Sequence, residues 1–295
     1  MARQPVDRPD APEQESPYSI CSVRAHLVQF DIAWENKPAN HRAAGAMIAS
    51  ARTEEGDLVL LPEMFDTGFS LNVERTADED GASASFLSEA AARHRVFVAA
   101  SITVRHERST ARNRALVFAP DGTLAGQYDK MHPFSFGREG ERFSRGEQPT
   151  TFEWRAPGGA LRVCPTVCYD LRFPELFRRG LTMGAGAFVV VANWPAERSA
   201  HWRALLVARA IENQAFVFGV NRSGTDPHLR YAGGSIAVDP RGRVLGEAGD
   251  APQVLSVGVE PAAVSDWRGA FPAWRDLHPG LRPSASNPSE TGFSG

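Results

Sequence analysis

Two cysteines, Cys164 and Cys168, stand four residues apart in the apolar run RVCPTVCYDLRFPEL. A thiol so placed can ligate a metal, pair with another thiol, fill a core or, once ionised, attack an electrophilic carbon. Zinc would need two more ligands at recognisable spacing, and none lies nearby in the sequence. Three cysteines without an apolar leader segment point to a reducing cytoplasm and away from a disulfide framework. Attack on carbon needs a proton acceptor and a cation close to the sulfur. Two other strand ends offer them, Glu63 closing LVLLPE and Lys130 closing GQYDK. Lys130 is conspicuous because only it and Lys37 are lysines among 32 basic residues. A surface charge can be either residue type, whereas a buried amine that handles protons cannot be arginine. Taken singly, each residue has an ordinary alternative: a loop carboxylate, a surface ammonium, a small core residue.

The elements that would position this trio follow from hydrophobic periodicity. Cys21–Trp34 reads as a strand, and an Ala-rich helix capped by Asn36 and stopping at Gly56 follows. DLVLLPEMF is a continuous apolar run, as in a strand buried on both faces. SASFLSEAAARHR is helical and VFVAASITVRH extended. RNRALVFAPDGTLAGQYDK folds into two strands around the Asp121–Gly122 turn. ALRVCPTVCY (strand), FPELFRRGLTMG (helix) and AGAFVVVANW (strand) come next, then a long helix, SAHWRALLVARAIENQA. FVFGVNR, GGSIAVDPRGRVLGEAG and QVLSVGVE supply the last strands. Hairpins among alternating strands and helices favour a layered α/β sandwich with two sheets over one parallel sheet. The reading places a polar tail at 1–19, a single domain at 20–282 and a mobile tail at 283–295. No Gly-rich dinucleotide or phosphate loop implies a cofactor. The net charge of −3 gives no electrostatic reason to expect nucleic acid or an anionic membrane, and no run is long enough to span one.

Four segments carry a resemblance: LVLLPEMF, YDKMHPF, VCYDLRFPEL and ANWPAERSAHWRALLVARAIENQAFVFGVNRSG. Across about residues 22–280 the chain resembles the nitrilase (carbon–nitrogen hydrolase) superfamily. The resemblance implies a four-layer αββα sandwich, assembly as a homodimer or larger, and a Glu63–Lys130–Cys168 triad. It makes Cys168, directly before the Tyr169–Asp170 pair, the nucleophile and leaves Cys164 structural. A second site glutamate in FGREGERFSRGE is expected at Glu139, seven residues before Gly146, with Glu141 the alternative. His201 would pair with Cys168 in the commoner thiol-hydrolase design; the resemblance sets that aside, as it does His132. Glu212 reads as a tie between elements.

Within the superfamily the surroundings of Trp194 and Cys168 look like the omega-amidase branch, with Thr166–Val167 before the cysteine a slight departure. That branch deamidates small dicarboxylic monoamides such as 2-oxoglutaramate and 2-oxosuccinamate. Arg172, one helical turn beyond Cys168 if a helix follows directly, is expected to hold the distal carboxylate. Trp194 is expected to wall the carbon chain. Metal has no expected role. The motifs leave a nitrilase, an N-carbamoyl amino acid amidohydrolase and a catalytically silent interaction module as alternatives.

Overall fold

The structure is a computed structural model that describes residues 23–107, 109–156, 158–276 and 278. The tails expected at 1–19 and 283–295 lie outside the described residues. Two six-stranded sheets form the middle of the molecule. The first has the order β14-β1-β2-β3-β4-β5, made of Gln253–Val259, Val23–Gln29, Leu58–Leu60, Phe97–Arg105, Ala111–Phe118 and Leu124–Asp129. The second has the order β13-β12-β9-β8-β7-β6, made of Val244–Glu247, Ile236–Val238, Phe216–Asn221, Ala187–Ala192, Gly159–Val167 and Phe152–Ala156. A separate hairpin joins β10 (Ser223–Thr225) to β11 (Arg230–Ala232). Each sheet has three neighbouring parallel strands at its centre, β1-β2-β3 in one and β7-β8-β9 in the other, with antiparallel strands outside them.

Among the described residues six α-helices accompany the sheets: α1 Lys37–Ser50, α2 Val73–Thr76, α3 Ala82–His94, α4 Pro174–Thr182, α5 Ser199–Asn213 and α6 Ala262–Ala270. Strand periodicity explains the layering. In and just after β2, Leu58 and Leu60 face the second sheet, while Val59 and Leu61 join Ala44 and Ile48 of α1 and Leu87 and Ala91 of α3. On the second sheet, Gly180 of α4 lies against Phe188 and Cys164, and Gly219 of β9 lies beneath Leu206 and Trp202 of α5. The resulting order is helix, sheet, sheet, helix. Both faces of the central strands are covered, which is why β8 reads as an unbroken apolar run.

Several boundaries differ from the sequence reading. The first strand ends at Gln29, and α1 ends at Ser50, with the Asn36 side chain capping Ala39 N as expected. Strands β6, β10 and β11 and helices α2 and α6 were not foreseen. All are short, and α6 is weakly apolar, with Val264 alone buried. No helix among the described residues is long and apolar enough to cross a membrane.

The loop leaving β2 also buries Asp66 completely, with Ser83 Oγ donating to one oxygen and no partner for the other. Burial raises its pKa from 3.8 to about 6, against the opposing Ser83 bond and Lys37 charge. Between those values the folded protein holds a proton that the unfolded chain releases, so this group's contribution to stability falls as pH rises through the window. We therefore expect Asp66→Asn to be more stable than the wild type at pH 7 by about 2–3 kcal/mol, with the difference vanishing below pH 4. Urea unfolding of both proteins across pH 4–7 checks this; a pH-independent difference would contradict it.

Candidate active site

The polar residues gather at the carboxyl ends of strands from both sheets. Glu63 follows β2, Lys130 follows β5, Cys168 follows β7 and Asn193 follows β8. Glu63, Lys130 and Glu139 are all buried. Lys130 Nζ donates to Glu63 Oε1 at 2.9 Å and to both oxygens of Glu139 at 3.1 and 2.9 Å. Asn113 Nδ2 bridges the same two carboxylates, at 2.8 Å from Glu63 and 3.2 Å from Glu139. The remaining Glu63 oxygen accepts from Asn193 N at 2.8 Å, while Asn193 Nδ2 donates back to Glu63 O at 2.7 Å. Glu139 Oε2 accepts from Phe134 N at 2.6 Å. Removing two carboxylates and an ammonium from water is costly, and these bonds offset that cost.

Cys168 begins a short 3-10 turn, Cys168–Arg172, with φ at +46°. A non-glycine residue in the left-handed region is strained, and here the strain turns the chain sharply out of β7. The residue is partly exposed and lines a cavity of about 380 Å³ together with Lys130, Asn193, Arg172 and Trp194. Its thiol is held well above the ordinary thiol range, first by burial and then by the charge and hydrogen bond of Glu63; Lys130 opposes both. Two carboxylates and one ammonium already leave the cluster negative, so a resting thiolate would add to like charge. The Lys130 cation does lower the thiol pKa, but burial and then the Glu63 charge outweigh it, and Glu139 adds to the same side. Burial pulls the Lys130 pKa down, but Glu139 and then Glu63 outweigh it and raise it. Burial likewise raises Glu139, partly offset by Lys130.

The other singled-out residues separate clearly. Glu141 is exposed and pairs with Arg138 at 2.8 Å, away from Lys130. Cys164 is fully buried in β7, and burial pushes its thiol up to about 12. Lys37 binds Ala77 O and Asp78, a structural task. His201 is exposed on α5, with Nδ1 3.4 Å from Arg172 Nη2, and does not line the cavity. His132 binds Asp170. Glu212 meets Arg209, which also donates to Leu171 O just beyond the elbow. Arg172 sits at the end of the 3-10 turn rather than one α-helical turn along. Its guanidinium lies 4.8 Å over the Trp194 ring and forms no salt bridge among the described residues. Among those residues no group of three or more His, Cys, Asp or Glu side chains is arranged to hold a metal ion.

Sequence reasoning missed Asn113, Arg198 and the wider cavity wall. Asn113 had one legible signal, a polar side chain at an inward position of β4. Arg198 lines the cavity, and its carbonyl accepts from Trp194 Nε1 at 2.8 Å; nothing in its spacing marks it.

Comparison with known proteins shows the family and the fold. The carbon-nitrogen hydrolase family matches residues 24–269. The chain belongs to the carbon-nitrogen hydrolase family. Among its relatives, the 2-oxoglutaramate amidase of Bacillus subtilis is 33% identical over 86% of this chain and 97% of its own length. The omega-amidase YafV of Escherichia coli K12 is 36% identical, over 86% and 96% respectively. The crystal structure of XC1258 from Xanthomonas campestris, a CN-hydrolase superfamily protein with an arsenic adduct in its active site, superposes with a TM-score of 0.80. That structure is 36% identical, covering 88% of this chain and 98% of the other. The fold is that of the nitrilase superfamily, and the protein is an amide-hydrolysing enzyme.

Gly146 fixes the lysine from behind. Its N–H donates to Lys130 O at 2.8 Å, and a Cβ there would run into the Asp129 carbonyl. Gly146→Ala is expected to displace Lys130 and to lower kcat by about 10²-fold with secondary structure retained. Turnover and circular dichroism of the variant check this; unchanged kcat would show that the lysine does not depend on this contact.

Proposed function

We propose that the protein is an omega-amidase that hydrolyses the terminal amide of small dicarboxylic monoamides, such as 2-oxoglutaramate or 2-oxosuccinamate, through a Glu63–Lys130–Cys168 triad. The observation that carries the substrate class is Arg172, a guanidinium on the cavity wall that meets aromatic rings and a histidine instead of a carboxylate. A planar fork without an internal anion is suited to a carboxylate brought by the substrate. The Trp194 ring stacked on it supplies a flat apolar wall for two or three methylenes. The names of the bacterial relatives support the same class.

The reaction begins from a neutral thiol. As Sγ attacks the amide carbon, its proton passes to Glu63, so charge separates only when the substrate is present. The oxyanion is stabilised by the Lys130 ammonium with a backbone N–H of the elbow. Collapse breaks the C–N bond, Glu63 returns the proton to nitrogen, and ammonia leaves a thioester on Cys168. Water then attacks the thioester carbon while Glu63 takes its proton. The second collapse expels the sulfur, which recovers a proton, and the dicarboxylate departs. Glu139 keeps Lys130 charged and aimed throughout.

Ammonia release from 2-oxoglutaramate, succinamate, glutamine, an N-carbamoyl amino acid and a simple nitrile tests the class. Release is expected from the first two. Cys168→Ala, Glu63→Gln and Lys130→Ala are each expected to lose at least about 10²–10³-fold in kcat while remaining folded. Arg172→Gln should raise KM for succinamate about 10- to 100-fold, as for loss of a charged hydrogen bond, and leave hydrolysis of uncharged propionamide unaffected. Turnover confined to the carbamoyl compound or the nitrile would keep the triad and discard the substrate.

The pH profile follows from the shifts. Glu139 protonates above the ordinary glutamate value of 4.5, so activity is lost on acidification at a higher pH than an unperturbed glutamate would give. The raised Lys130 and Cys168 leave no alkaline limb near the ordinary thiol value of 9.0. A plateau of kcat/KM through pH 9 is expected. Iodoacetamide alkylation of Cys168 should likewise show no inflection there, whereas a sigmoid rise centred near pH 8–9 would mean an ordinary thiol.

A further inference from the structure

Asp170, two residues beyond Cys168, is fully buried and accepts four hydrogen bonds. On Oδ2 it receives Val167 N at 3.0 Å and the Tyr128 hydroxyl at 2.7 Å. On Oδ1 it receives His132 N at 3.0 Å and His132 Nδ1 at 2.7 Å. Val167 is the residue before the nucleophile, whereas Tyr128 and His132 flank Lys130 by two positions on either side. Val167 ends β7 of the second sheet and Tyr128 lies in β5 of the first. One carboxylate therefore ties the thiol-bearing elbow to the lysine-bearing loop across the gap between sheets. Tyr128 extends the tie, since its oxygen also accepts from Met131 N at 3.1 Å. Burial, and then the Asp170 charge, raise the Tyr128 pKa, so the hydroxyl remains a donor.

We propose that Asp170 is a positioning residue for amide hydrolysis, holding the strained Cys168 elbow in register with the Lys130 loop through Tyr128 and His132. The inference rests on Cys168 being the nucleophile. The elbow cannot hold itself: Cys168 has left-handed backbone geometry, and its side chain must stay free for substrate. An ionised carboxylate alone among side chains offers acceptors to four donors at once. An asparagine of the same shape turns an N–H towards donors and leaves two of them unpaired.

Steady-state kinetics on the amide the enzyme turns over test this, with Asp170→Asn, Tyr128→Phe, His132→Asn and Cys168→Ala as variants. Asp170→Asn is expected to lower kcat about 100-fold, with KM within about threefold and cooperative thermal unfolding retained. Tyr128→Phe should lower kcat about tenfold in the wild type and by nothing further in an Asp170→Ala background, where no acceptor remains for its hydroxyl. A residue that only supports folding would move Tm without this split between kcat and KM or this non-additivity. Asp170→Asn with kcat within about threefold of wild type, or Tyr128→Phe costing the same factor in both backgrounds, overturns the proposal. If Asp170→Asn does not fold, the two milder variants decide: loss confined to kcat supports the clamp, and unchanged kcat or a change confined to KM refutes it. Activity surviving in Cys168→Ala would bring down the nucleophile assignment and the clamp with it. Inactive Cys168→Ala beside fully active Asp170→Asn brings down the clamp alone.

Discussion

A single buried ammonium, shared between two carboxylates, sets the terms for the rest of this structure. Lys130 contacts Glu63 and Glu139 at hydrogen-bond distance, and none of the three meets bulk water. In a low-dielectric interior such a cluster is tolerable only when its geometry is tight and its lone pairs are occupied. Asn113, Asn193 and Phe134 N occupy them. The electrostatic result is a site in which two carboxyl groups share one ammonium beside the thiol. Burial and the Glu63 charge accordingly hold the Cys168 thiol above its ordinary range, and in the proposed mechanism its ionisation is coupled to substrate.

The fold serves this cluster by bringing together strand ends that are far apart in sequence. Each sheet has parallel strands at its centre, and the carboxyl ends of parallel strands are where loops are free to carry polar groups. Glu63 and Cys168 emerge from different sheets, so their juxtaposition depends on how the sheets are stacked. That stacking is set by the apolar core between them, including Leu58 and Leu60 from one sheet and Val163 and Val189 from the other. Packing alone does not define positions to the fraction of an ångström that chemistry requires. Gly146 behind Lys130, Arg209 on Leu171 O and the Asp170 bonds supply short polar tethers at the point of convergence.

The proposed specificity rests on a different balance. The cavity wall carries several aromatic rings and an arginine, Arg172, that forms no salt bridge among the described residues, an arrangement that underlies the proposed preference for a short apolar chain ending in a negative charge. Trp194 joins two features of this wall, since its ring stacks on Arg172 and its indole N–H holds the Arg198 carbonyl.

Much of this was legible in the chain. A thiol, a carboxylate and one of only two lysines at strand ends were chemically coherent as a set, and the motif resemblance implied them as a triad. Alternating and continuous apolar runs gave most of the strands, since side-chain period follows directly from backbone geometry. Asn36 as a cap and Asp121–Gly122 as a turn were readable for the same local reason. Local sequence did not separate Glu139 from Glu141, two residues apart on one turn, because only the position of Lys130 in space makes one buried and the other exposed. Asn113, Asp170 and Arg198 were invisible as site residues, and the balance of burial and charge at the thiol could not be read. Asn113 and Asp170 depend on hydrogen bonds to residues 26 to 50 positions away, and Arg198 on a cavity wall drawn from separate elements. Sequence determined the candidate groups and the elements that carry them; tertiary structure alone decided their distances, their burial and the direction in which each pKa moves, because those are properties of the assembled packing and its electrostatic field.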